Sequence, residues 1–121
     1  MDTKTTGFAS PAQGYEEQSI DLNRLLVHNP PATYFFRLET DEMADLGLAR
    51  GSILIVDRSK TSTPNSIVLL RHEGQFLCRL LTKKDGKTLF TNGKTDIAPI
   101  SDDTEILGTV TASIKTYDNV N

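Results

Sequence analysis

The chain has one cysteine, Cys78, in 121 residues. A lone thiol excludes an intramolecular disulfide and agrees with a reducing compartment. With only two histidines beside it, ligands are too few for a Cys/His zinc site. No apolar run is long enough to span a bilayer. The opening MDTKTTGFASPAQG also lacks the basic start and apolar centre of a secretory signal, so a cytoplasmic protein without membrane contact is expected. Basic charge is short as well: 13 Lys and Arg against 16 Asp and Glu give a formal net charge of −3. Direct nucleic-acid binding, which relies on clustered cations neutralising phosphates, is therefore not expected. The one cluster, Lys83, Lys84 and Lys87 in KKDGK, reads as a solvated turn. Internal repeats, low-complexity tracts and a second-domain linker are absent too.

What is there reads as one domain. Hydrophobic residues at 37% and charged residues at 24% fit a soluble globular chain, and 121 residues bury one modest core rather than two. Residues 1–14 are polar and carry Gly7, Pro11 and Gly14, so they read as an N-terminal arm ahead of a single domain over 15–121. In SIDLNRLLVHN, Ile20, Leu22, Leu25 and Leu26 recur at helical spacing, with Ser19 or Asp21 as a cap and Pro30-Pro31 beyond. One short N-terminal helix is predicted. Six segments follow: TYFFRLE, SILIVDR, SIVLLRH, QFLCRLLT, TLFT and EILGTVTASIKTY. They are rich in β-branched and aromatic residues and separated by turn chemistry (ARG, TPN, EG, KDG, NG), which predicts a mostly β, compact antiparallel domain. The last segment is the longest, and its imperfect alternation suits a strand at a subunit interface.

Two features carry chemistry. A period of two in QFLCRLLT puts Leu77, Arg79 and Leu81 on one face, so Arg79 is a cation between leucines. Either it snorkels to water, or it is buried and needs an acid partner; the sequence leaves both open. The second feature is ETDEMADLG, residues 39–47, which holds Glu39, Asp41, Glu42 and Asp45. These acids lack the Asp/Asn spacing and central glycine of a calcium loop, and neither a metal nor a cofactor is expected.

The segments GFASPAQGYEEQSIDLNRLL, PATYFFRLETDEM, GSILIVDRS and QFLCRLL resemble, in that order, the UmuD/MucA group of the LexA-type self-cleaving serine peptidases. The resemblance runs from about Gly7 to Tyr117 and implies the LexA/UmuD C-terminal β-domain with a Ser/Lys dyad. The family serine sits in a segment like S-G-D-S-M. Glu39-Thr40-Asp41-Glu42-Met43 matches it, with Glu42 at the nucleophile position. The family lysine lies in a strand like E-F-T-V-K, matched by Gln75-Phe76-Leu77-Cys78-Arg79, with Arg79 at the lysine position.

Both replacements remove the groups that the expected chemistry uses. The mechanism needs a hydroxyl to attack the carbonyl and a neutral amine to take its proton. A guanidinium stays protonated throughout the working range, and a carboxylate is a poor nucleophile toward an amide. The replacements are nevertheless complementary, so a partly buried Glu42–Arg79 ion pair is expected where the dyad would be. Substituting Glu42→Ser and Arg79→Lys together is expected to restore peptidase activity if the cleft is otherwise intact. Ser52 and Lys60 flank one strand, but their spacing matches no dyad.

The resemblance also implies an arm cut at a small residue–Gly bond. Thr6-Gly7 matches that position, with only six residues before it, so the chain is expected to start close to the processed form. With the dyad replaced, the function expected from the same resemblance is that of a UmuD′-like, non-catalytic accessory subunit in SOS-induced error-prone translesion synthesis. The implied partners are a second copy, a UmuC-type polymerase subunit and the RecA filament. The dimer interface is expected along the C-terminal strand, at Ile106, Val110, Ala112 and Ile114. One alternative is a pseudo-peptidase regulator that forms mixed dimers with an intact UmuD or LexA-like repressor; a self-cleaving peptidase is the third reading.

Overall fold

The computed structural model describes residues 20–118; the arm and the Thr6-Gly7 bond lie outside them. Helix α1 spans Leu22–Leu26, and Asp21 caps it by accepting from the backbone N–H of Asn23 (3.1 Å) and Arg24 (3.4 Å). Pro30 and Pro31 stand in a separate 3-10 turn, Pro30–Ala32. None of the residues of α1 is buried, and Leu22 and Leu25 face water together with Ile20 just ahead of the cap. The helical spacing therefore marks an element without marking a core.

Seven strands form one antiparallel sheet: β1 (Thr33–Arg37), β2 (Ile53–Asp57), β3 (Ile67–His72), β4 (Gln75–Lys84), β5 (Lys87–Thr91), β6 (Ile97–Pro99) and β7 (Thr104–Ile114). The spatial order is β1-β2-β7-β3-β4-β5-β6. The mostly β fold with one short helix matches the sequence reading. Beyond the six expected segments, the sheet adds β6. This three-residue strand is too short and too rich in proline to show a pattern, and an outer edge tolerates its Pro99. Two hairpins turn where glycine follows a residue of positive φ: Glu73-Gly74 (52° and 81°) and Asp85-Gly86 (53° and 77°). Such φ values suit the two-residue turns that match strand twist, and they hold β4 between β3 and β5.

Strand β7 joins two half-sheets. Its first half pairs with β3 as far as Val68↔Thr109, and its second half pairs with β2 from Asp57↔Thr109 to Ile53↔Ile114. It crosses β2 closely at Gly108, where a Cβ would lie 2.6 Å from Val56 Cγ1. Thr109, 4% exposed, ties the loop after β2 to this crossing, sharing a hydrogen bond with Ser62 (2.6 Å) and donating to the Lys60 carbonyl (3.3 Å). At the end of β2, Asp57 accepts from the Ser59 hydroxyl (2.6 Å) and the Ser59 N–H (2.8 Å). Those bonds, the hydroxyl's first, hold its carboxyl below the usual carboxylate range.

The core forms two clusters. Leu38, Met43, Leu48, Leu54, Val56, Leu69 and Cys78 make the first, and Val68, Leu70, Leu81 and Phe90 make the second. Met43 is fully buried in the first cluster. It anchors the turn after β1 and so fixes the position of its neighbour, Glu42. No helix of the described residues is long and apolar enough to cross a membrane.

Candidate functional site

Of the four acids in ETDEMADLG, Glu39 and Asp45 are exposed, and Asp41 makes an open ion pair with Arg50 at 3.5 Å. Glu42 behaves differently because its neighbour Met43 drives into the core while the preceding hydroxyl closes the turn. Thr40 Oγ1 accepts from the Glu42 N–H at 3.2 Å, which occupies the nearest hydroxyl of this loop. The carboxylate of Glu42 then reaches β4, where Arg79 Nη2 donates to Oε1 at 2.8 Å.

Arg79 is buried, with its side chain 5% exposed. The open choice between a snorkelling and a buried cation falls to the second, and so does the need for an acid. The acid supply is larger than the sequence suggested. Arg79 Nε donates to Asp96 Oδ2 at 2.9 Å, and Nη2 lies 2.7 Å from the same oxygen. Nη1 donates to the Cys78 carbonyl at 2.9 Å. All three guanidinium nitrogens are thus engaged, which offsets the cost of removing the charge from water. The expected Glu42–Arg79 pair forms, but the two-nitrogen contact goes to Asp96.

Sequence reasoning missed Asp96 because it lies in NGKTD, a segment that reads only as a turn. Its placement is specified all the same. Asn92 Oδ1 accepts from the N–H groups of Lys94 (2.8 Å) and Asp96 (3.1 Å), and the Asn92 N–H donates to the Asp96 carbonyl (3.1 Å). Gly93, at φ 85°, sits so close to Leu46 that a Cβ would lie 2.8 Å from its side chain. The loop carrying Asp96 therefore packs on the turn that carries Glu42. The signal was an Asn-Gly pair ahead of an acid, readable only once β5 and β6 are known.

Beside the cluster lies a cleft of about 450 Å³, lined by Phe36, Leu38, Leu69, Phe76 and Leu77 with Glu42 and Arg79 at its wall. Thr40 lines it too, with its hydroxyl accepting from the Glu42 N–H. Cys78, the nearest thiol, is buried, and burial pushes it up to about 11 against the pull of Arg79. Ser52 and Lys60 stand at opposite ends of β2, with Ser52 only 2% exposed. Of the residues expected at a subunit interface, Ile106 and Ile114 are partly exposed, at 39% and 37%. Ala112 is opposite Ile55, and Val110 packs against the first core cluster.

Comparison with known proteins gives the chain's relatives. Residues 1–111 match the peptidase S24-like family. Protein MucA of Salmonella typhimurium is 37% identical over 114 residues, covering 91% of this chain and 78% of the relative. Protein SamA of Salmonella typhimurium strain LT2 is 32% identical over 108 residues, covering 89% and 77%. Protein ImpA of Salmonella typhimurium is 33% identical over 104 residues, covering 86% and 66%. With a family match over most of its length and these relatives beside it, the chain belongs to the peptidase S24-like family, in the UmuD/MucA group.

Proposed function

We propose that this protein is a non-catalytic, UmuD′-like accessory subunit in SOS-induced error-prone translesion synthesis, acting through protein contacts. One observation carries the reading. Glu42 and Arg79 stand at the positions that resemble the family's serine and lysine, and they are bonded to each other at 2.8 Å within a retained fold. A hydroxyl and a neutral amine are what amide hydrolysis requires there, and an ion pair supplies neither. The protein body persists while its chemistry is gone, which fits a role in binding.

A homodimer built on β7 is part of this reading. Past Val110 the strand pairs only with β2, which leaves the β3 side of Thr111–Ile114 without a strand among the described residues. Open backbone edges of this kind accept a further strand, and Ile114 supplies exposed apolar surface on it, with Ile106 exposed in the half that pairs with β3. The net charge of −3 suits a protein that reaches DNA through a UmuC-type polymerase subunit and the RecA filament rather than by itself.

Affinity purification of the tagged chain from DNA-damaged cells tests the proposal. A UmuC-type polymerase subunit should co-purify, and Ile114→Lys should convert the dimer to a monomer in light scattering. Recovery of an intact UmuD or LexA-like protein with no polymerase subunit would overturn the accessory reading in favour of a regulator.

A further inference from the structure

We infer that Asp96 is a third lock on this site, one that keeps any cation at position 79 charged. Exchanging Glu42 and Arg79 for serine and lysine is then not enough to recreate a base. The inference rests on the closed-site reading above and adds a residue to it.

The argument begins with position. Asp96 Oδ2 is the one acceptor that binds two guanidinium nitrogens, Nε at 2.9 Å and Nη2 at 2.7 Å. A lysine side chain carries its nitrogen about where arginine carries the guanidinium carbon, between those two nitrogens. The amine of Arg79→Lys would therefore sit against the same carboxylate oxygen. Asp96 cannot easily withdraw, because Asn92 holds its loop through three backbone contacts and Gly93 seats that loop against Leu46.

The charge balance comes next. The groups facing Arg79 are Glu42 from the turn after β1, Asp96 from the β5–β6 loop and the Cys78 carbonyl, with apolar Val68 opposite on β3. Glu42→Ser removes one of the two carboxylates. Asp96 is then the remaining carboxylate facing position 79 among the described residues. A carboxylate in direct contact favours the protonated ammonium, whereas burial alone favours the neutral amine. With Asp96 in place the first effect wins, because contact distance and a fixed loop maximise it. The reaction needs the second. The serine Oγ must bond to the carbonyl carbon as its proton passes to the amine; the C–N bond then breaks, the same proton goes to the leaving nitrogen, and water hydrolyses the ester. An amine that is already protonated cannot take the first proton.

The test compares Glu42→Ser/Arg79→Lys with the same chain carrying Asp96→Asn as well. Asp96→Ser serves as a second version should the asparagine fail to fold. Titration of the introduced amine by heteronuclear NMR reads the inference directly. Removing Asp96 should raise its neutral fraction at pH 7 by about 10- to 1,000-fold, the range a contacting charge commands. A neutral fraction unchanged by the loss of Asp96 would overturn the inference, whether the amine is already neutral in the double variant or stays charged in both. Mass measurement after incubation with activated RecA filament reads the underlying proposal separately. Cleavage at Thr6-Gly7 should be confined to the triple variant, and cleavage by the double variant would also overturn the inference. A neutral amine in an inactive triple variant leaves Asp96 as the lock and means that the cleft has lost more than the dyad, whereas cleavage of the unsubstituted chain would overturn the closed-site reading itself.

Discussion

Weakening the acids around Arg79 one at a time should produce unequal losses, and the inequality follows from the geometry. Glu42 accepts one bond and its side chain is 51% exposed, so water readily replaces what it loses. Glu42→Gln keeps a neutral acceptor and should cost about 0.5–1 kcal/mol. Asp96 accepts from two nitrogens and is 43% exposed. Asp96→Asn should cost about 1.5–3 kcal/mol, as expected for hydrogen bonds to a charged group. Removing both charges leaves a guanidinium 5% exposed with only the Cys78 carbonyl and neutral amides, and should cost about 3–5 kcal/mol. For a domain of this size about 4 °C of Tm corresponds to 1 kcal/mol, so Asp96→Asn should lower Tm by about 6–12 °C and Glu42→Gln by about 2–4 °C. Urea unfolding followed by circular dichroism supplies the free energies, with an unchanged slope as the check on two-state behaviour. A larger loss for Glu42→Gln than for Asp96→Asn would refute the assignment of Asp96 as the principal partner. A double substitution no costlier than Asp96→Asn alone would refute the larger cost assigned to a buried guanidinium without a charged partner.

Three further outcomes follow from individual residues. The Cys78 thiol, pushed up to about 11, should be only about 0.1% thiolate at pH 8 and should react with an alkylating reagent at the rate of global unfolding, as mass spectrometry over a urea series would show. Asp57 is held below its ordinary 3.8, so its stabilising contribution is complete above that value and is lost as pH falls through the lowered one. Asp57→Asn should therefore flatten the acid limb of stability against pH below about 4 while leaving its slope near neutrality unchanged. Gly108→Ala places a methyl 2.6 Å from Val56 Cγ1, and the resulting overpacking should cost about 1–3 kcal/mol in thermal unfolding; a neutral result would mean that β7 and β2 separate more easily than their pairing suggests.

Much of this is legible in the sequence. The strand segments, the glycine-containing turns and the Asp21 cap depend on neighbours within a few residues, and those dependences are written locally. The Glu42–Arg79 contact spans 37 residues, yet complementary charges at two matched positions exposed it. Asp96 was invisible because its contact depends on where the β5–β6 loop lands, and on Asn92 bonding that loop shut. The exposure of Leu22 and Leu25 was hidden for the opposite reason: periodicity reports that an apolar face exists and is silent about what covers it. The centrality of β7 likewise depends on sheet order, which strand-by-strand reading does not supply.

The place of β7 between β2 and β3 sets a timetable for synthesis. β2 and β3 do not pair with each other, so the middle of the sheet stays open until residues 104–114 have been made. β2 ends at Asp57 and Thr104 comes 47 residues later, which at about 5–20 residues per second leaves the β7 side of β2 open for about 2–9 s. During that interval ILIVD and IVLLRH each keep one apolar strand edge unpaired, on the side where β7 will lie, the kind of surface that chaperones bind and proteases cut. A chain stopped before Thr104 would hold nearly every residue of the site and still lack the strand that makes it one molecule.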